Sequence, residues 1–271
     1  MIFNTVFLSG LALASSASAH IAKRSRFAPY NPLSALSPKA DKVERVSVYF
    51  HVISADDSEE NGNIPDDQIS QQIDVLNEDY EDTGLTFVLA NTTRTVNETW
   101  FKTVGPDTDV QTDMKNQLRQ GDEAALNVYT VGFQSGTGAG LLGYSTFPSS
   151  YEDNPQDDGV VIMFSSLPGG SLDNFNLGKT LVHEAGHWVG LFHTFQNGCS
   201  DPVDDTPAEA QPNSGCPTTA PDTCPDSAGS DPINNFMDYS YDACLDSFSK
   251  GQISRLQDQM ATFRGVNFSS S

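Results

Sequence analysis

The stretch His183-Glu184-Ala185-Gly186-His187-Trp188-Val189-Gly190-Leu191-Phe192-His193 decides how this chain is read. It fits the pattern H-E-x-x-H-x-x-G-x-x-H. Residues four apart on a helix lie one turn above each other, so the imidazoles of His183 and His187 share a face. Glu184 follows the first histidine directly, which sets a carboxylate within reach of a water at the metal position. Gly190 lets the backbone leave the helix through a conformation that other residues resist. The chain can then bend back and bring His193 to the same ion. Three imidazoles leave a fourth position open, the arrangement of a catalytic zinc rather than a structural one. The chain has 5 histidines, and three of them are in this motif. Val182, Ala185 and Val189 fall together on the opposite face, as a core-packing stripe does. The spacing predicts a zinc helix from about Leu177 to Gly190. His20 and His51 have no ligand spacing and read as incidental or structural.

A second motif, Asn234-Asn235-Phe236-Met237-Asp238-Tyr239-Ser240, follows a Pro- and Cys-rich loop. A buried methionine is usually ordinary core. Beside the long zinc motif, Met237 takes another reading: a methionine turn that lies beneath the three histidines as an apolar floor. A flexible thioether packs well against imidazole rings.

The segments His183 to Phe195, Asp204-Asp205-Thr206-Pro207 and Phe236 to Ser240 resemble the pappalysin (cytophagalysin) branch of the metzincins, and within it the secreted fungal extracellular metalloproteases. Gly143-Tyr144-Ser145-Thr146-Phe147-Pro148 resembles that family's edge-strand segment. The resemblance covers most of residues 41–271. It implies an α+β metzincin fold in one catalytic domain, 41–271. An upper subdomain, 41–190, would hold a twisted mixed β-sheet, a backing helix and the zinc-binding active-site helix. A smaller, irregular, disulfide-stapled lower subdomain, 191–271, would carry the methionine turn and a C-terminal helix. The zinc site would lie in the cleft between them.

The chemistry this implies is hydrolysis of internal peptide bonds, with protein or peptide substrates. Zn2+ on His183, His187 and His193 would acidify its water, and Glu184 would act as the general base. Tyr239 is the candidate donor to the oxyanion, with packing in the floor as the alternative. Asp201, Asp204, Asp205 and Thr206 form an oxygen-rich cluster where relatives bind Ca2+. Their spacing is not that of an EF-hand, and a solvated acidic loop is the other reading. Asp242, next to Ala243, leaves both a basic and a broad or apolar preference open. A zinc-retaining protein that binds without turnover is the competing class; the intact Glu184, three ligands and Met237 argue against it.

Lys+Arg 14 against Asp+Glu 36 gives a net charge of −22, which excludes nucleic acid and anionic membrane surfaces as expected partners. A monomer is expected. Residues 1–19 read as a secretory signal: an apolar core from Val6 to Ala14, then Ala17-Ser18-Ala19 as a small-residue cleavage site. Residues 20–40, with a dibasic Lys23-Arg24 and three prolines, read as a mobile start or a short pro-segment. No run is long enough for a membrane anchor, so an extracellular location follows. Cys199, Cys216, Cys224 and Cys244 suggest two disulfides, which spacing leaves open among three pairings. The resemblance implies Cys199–Cys224 and Cys216–Cys244. Asn91, Asn97 and Asn267 begin N-x-S/T sequons and are candidate glycosylation sites.

The remaining pattern predicts strands at 46–53, 85–89, 126–131 and 160–164. Helices are predicted at 65–80, 108–120 and 249–263. The Gly-rich stretch Gly138 to Phe147 is read, through the resemblance, as a sheet edge bordering the cleft; a surface hairpin is the alternative.

Overall fold

The computed structural model describes residues 43–200, 203 and 205–268. The expected leader at 1–19, the stretch 20–40, and Asp201 and Asp204 lie outside the described residues. The fold is mixed α+β, built on a five-stranded sheet of order β2-β1-β3-β5-β4. The strands are β1 Glu44–Ser54, β2 Leu85–Val96, β3 Leu126–Val131, β4 Gly143–Ser145 and β5 Val160–Met163. Strand β1 pairs in parallel with β2 and β3, and β3 in parallel with β5. Strand β4 runs antiparallel to β5 and forms one edge.

Both faces of the sheet are covered, as a largely parallel sheet requires. Val46, Val48, Phe50 and Val52 of β1 enter one core, shared with Leu76, Trp188 and Leu256. These come from helices α1 (Asp66–Asp79), α4 (Lys179–Trp188) and α5 (Lys250–Arg264). Ile53 and Val131 enter a second core with Trp100 and Met114. Those two side chains belong to α2 (Glu98–Thr103) and α3 (Asp109–Leu118). Among the described residues no helix is long and apolar enough to cross a membrane.

Two boundaries and one short helix differ most from expectation. Strand β2 runs on to Val96 because its pairing with β1 resumes after an irregularity, where Val48 faces Leu89 and Tyr49 faces Asn91. Its second half is polar, so apolar alternation does not reveal it. Helix α2 was not foreseen; Asn97 starts it by accepting from Trp100 N at 3.0 Å. Helix α4 begins only at Lys179, because Gly178 adopts φ 86 and stands outside it.

Two polar arrangements hold the elements around the cleft. Buried Asp158 accepts from Arg264 Nη2 at 2.9 Å, Trp188 Nε1 at 3.0 Å and Thr146 Oγ1 at 3.0 Å. It thereby ties the ends of α4 and α5 to the segment after β4. Asp205 accepts from Ser249 Oγ at 2.7 Å and Gly251 N at 2.8 Å. Thr206 Oγ1 meets Ser249 Oγ at 3.0 Å. These two members of the expected calcium cluster are therefore engaged at the start of α5, where a carboxylate favours the helix dipole. The cysteines pair as Cys199–Cys224 and Cys216–Cys244.

Candidate active site

Helix α4 carries His183 and His187 one turn apart, and both are buried. It closes through Gly190, whose φ is 105, the left-handed turn that the motif requires. The closure has a second effect. Leu191 N donates to Gly186 O, and Leu191 O accepts from His187 Nδ1 at 2.8 Å. The turn that ends the helix thus also orients a histidine on it. His193 then arrives at the pair, with its Nε2 3.0 Å from that of His187.

The donor set fits a divalent cation. His183 Nδ1 bonds Phe236 O at 2.7 Å, and His193 Nδ1 bonds Gln196 Oε1 at 3.2 Å. With each Nδ1 donating to an oxygen, each Nε2 presents a lone pair. Ligand atoms of the three rings lie within 4.8 Å of one another, and His183 Nε2 is buried with no hydrogen-bond partner among the described residues. Burial lowers the pKa of His183 to about 3 and of His187 to about 4, and that of His193 well below its ordinary value. Neutral imidazoles facing one another are the form that ligates zinc. Among the described residues no other cluster has this spacing.

Glu184 is 4% exposed, and burial raises its pKa to about 8. It lies directly beneath β4. A methyl group built on Gly143 would fall 2.7 Å from Glu184 Cγ and 2.9 Å from Oε1. Met237 is fully buried under α4, where a methyl on Gly186 would meet its Sδ at 2.4 Å. Both glycines are visible in the sequence, but nothing local says what presses on them. Tyr239 brings its hydroxyl to 3.1 Å from His193 Nε2.

Beside His183 and Glu184 opens a pocket lined by Leu142, Phe175, Leu245, Tyr239 and Asp242. Asp242 is buried and accepts from Leu177 N at 2.8 Å and Lys179 N at 3.4 Å, at the start of α4. Burial raises its pKa to about 6. Asp242 thus both borders the pocket and steadies the active-site helix.

Sequence reasoning missed the acid pair beside Met237. Buried Glu209 accepts from Thr194 Oγ1 at 2.5 Å and bonds Asn213 Nδ2. Asp238, next to Met237, accepts from Asn213 N at 3.0 Å and Ser240 Oγ at 3.0 Å. The two carboxyls also bond each other; burial, then Asp238's charge, raises Glu209's pKa to about 8. The pair joins the residue after His193 to the segment that carries Met237. His51, by contrast, bonds Thr93 Oγ1 and Asn127 Oδ1 within the sheet and has a structural place. Asn91 and Asn267 are exposed, while Asn97 caps α2.

The family model described as peptidase M43, pregnancy-associated plasma protein-A, matches residues 109–261. An extracellular metalloprotease of Pyricularia oryzae is 46% identical over 223 residues, covering 81% of this chain and 76% of that protein. Extracellular metalloprotease 1 of Coccidioides posadasii is 46% identical over 225 residues, covering 81% and 78%. Among solved structures, mature mirolysin of Tannerella forsythia in complex with a cleaved peptide superposes with a TM-score of 0.67 at 28% identity, covering 81% of this chain and 92% of that one.

Proposed function

The chain belongs to the M43, or pappalysin, family of metalloproteases, and from that premise we propose that it is a secreted zinc endopeptidase with Glu184 as its general base. The buried triad carries this reading: three Nε2 lone pairs converge beside a carboxyl of raised pKa. His183, His187 and His193 would hold the ion. Zinc bound there supplies Lewis acidity, polarising the scissile carbonyl and acidifying a water. Glu184 takes a proton from the attacking water and passes it to the leaving amine. Burial raises its proton affinity, and the charge of a bound cation opposes that rise. Tyr239, at 3.1 Å from His193 Nε2, is close enough to donate to the oxyanion developing on the substrate. Met237 serves as the apolar floor.

Strand β4 is a short edge above Glu184. An extended peptide would add there as one more strand, which suits internal bonds rather than chain ends. The cleaved peptide held by mature mirolysin supports peptides as substrates. The fungal relatives are extracellular metalloproteases, which supports an extracellular location, and an apolar leader ending at Ala17-Ser18-Ala19 would supply the route.

The test is cleavage of casein and of a mixed peptide library, with and without a zinc chelator, beside Glu184→Gln. Cleavage that the chelator abolishes, and that a zinc-loaded Glu184→Gln protein lacks, is expected. Substantial chelator-sensitive turnover in that variant would remove the general-base assignment.

A further inference from the structure

A second pocket adjoins the histidines, with Phe147, Phe192, Gln196, Asn197, Arg255 and Gln259 among its lining residues. It lies past the C-terminal end of β4, whereas the pocket beside Glu184 includes Leu142, just before β4 begins. His183 lines the first pocket, and residues of the second contact the other two histidines. Phe147 packs its ring 5.4 Å from that of His187, and Gln196 holds His193. A peptide lying along β4 and across the histidines would therefore pass both pockets.

Arg255 is the charged group of this second pocket. Its guanidinium lies 4.4 Å above the ring of Phe192, and its Nε donates to Gly190 O at 2.9 Å. Those contacts hold the group in one orientation. Its two terminal nitrogens have no partner among the described residues. The chain's net charge is −22, so carboxylates outnumber its cations. Among the described residues Arg94, Lys102, Lys115, Arg119, Lys179 and Arg264 pair with carboxylates, whereas Arg255, like Arg45 and Lys250, does not. Asp258 is one turn along the same helix, yet it forms no ion pair with Arg255. Burial pulls the guanidinium's pKa down, though arginine stays charged regardless.

We propose that this pocket is a substrate subsite, and that Arg255 selects an acidic side chain, Asp or Glu, on the residue that enters it. A fixed fork of donors over an aromatic ring suits a carboxylate. Gln196, Asn197 and Gln259 add amide groups around it. The proposal rests on the endopeptidase reading above.

The experiment uses the full secreted protein and peptide pairs that differ only by Asp against Asn, or Glu against Gln, at each position flanking one scissile bond. Wild type is expected to favour the acid at one position by about tenfold in kcat/KM, the scale of one charge-assisted hydrogen bond in a half-open site. The readout is the acid-to-amide ratio, so a general loss of activity cancels. Arg255→Gln brings that ratio near one, Arg255→Glu inverts it, and Arg255→Lys retains part of it. A merely structural tie to Gly190 would lower both peptides of a pair equally and leave the ratio unmoved. Peptides cleaved by wild type with no acid preference at any position would overturn the proposal alone. No cleavage of any peptide by zinc-loaded protein would overturn the endopeptidase reading and this subsite with it.

Discussion

Gly143→Ala isolates the link between the sheet edge and Glu184, the proposed general base. Gly143 belongs to β4 and has no left-handed backbone angle, so alanine meets no conformational penalty there. The whole effect falls on the contact below. The new methyl would lie 2.7 Å from Glu184 Cγ and 2.9 Å from Oε1. Carbon atoms rest at roughly 3.5–4.0 Å, so the carboxylate or the strand must give way by about 1 Å. Glu184 is buried, and α4 is packed on Met237 beneath, so there is little slack. A displacement of about 1 Å at a reacting group is able to lower turnover about 10²-fold. The strain itself is overpacking, about 1–3 kcal/mol. The assay is kcat and KM on a quenched fluorescent peptide, with zinc content and thermal unfolding measured on the same sample. A zinc-replete, folded variant with kcat reduced about 10²-fold is expected. Added to Glu184→Gln, the substitution should do little more, because both act on one carboxylate. Wild-type kcat in a folded Gly143→Ala protein would refute the positioning argument, as would a full additive loss on the Glu184→Gln background.

Gly186→Ala presses a methyl to 2.4 Å from Met237 Sδ; it should destabilise by about 1–3 kcal/mol and weaken zinc retention, and denaturant melts with metal analysis would check both. Asp158→Ala leaves Arg264 as a buried charge without its partner; a loss of about 3–5 kcal/mol is expected, and a midpoint within experimental error of wild type would count against the hub. Glu209 has a folded pKa raised from 4.5 to about 8, so the native state keeps a proton that the unfolded chain releases. Its contribution therefore makes stability fall as pH rises from about 4.5 through about 8, and level off above. Glu209→Gln should remove that slope and gain on wild type at high pH; parallel melting profiles from pH 5 to 9 would contradict it.

Much of the fold was readable because it repeats locally. The apolar periodicity at Ile69, Ile73 and Leu76 marks α1, and the run Leu126 to Val131 marks β3 with its observed ends. The second half of β2 escaped, because its residues are polar and it is a strand only through pairing with β1. Helix α2 escaped because it is six residues long and depends on a cap rather than a stripe.

The linear chain by itself determined which three histidines gather. The spacing of His183, Glu184, His187, Gly190 and His193 is a local matter, settled by one helical turn and one left-handed glycine. What those residues press against was decided only in three dimensions. Gly143 bears on Glu184, Met237 on Gly186, Glu209 on Thr194 and Arg255 on Phe192. Each contact joins segments separated in the sequence, and each depends on packing that no local pattern encodes. Burial does the rest: the same fold that gathers these groups removes their water, and that desolvation moves His183, Glu184 and Glu209 away from their ordinary pKa values.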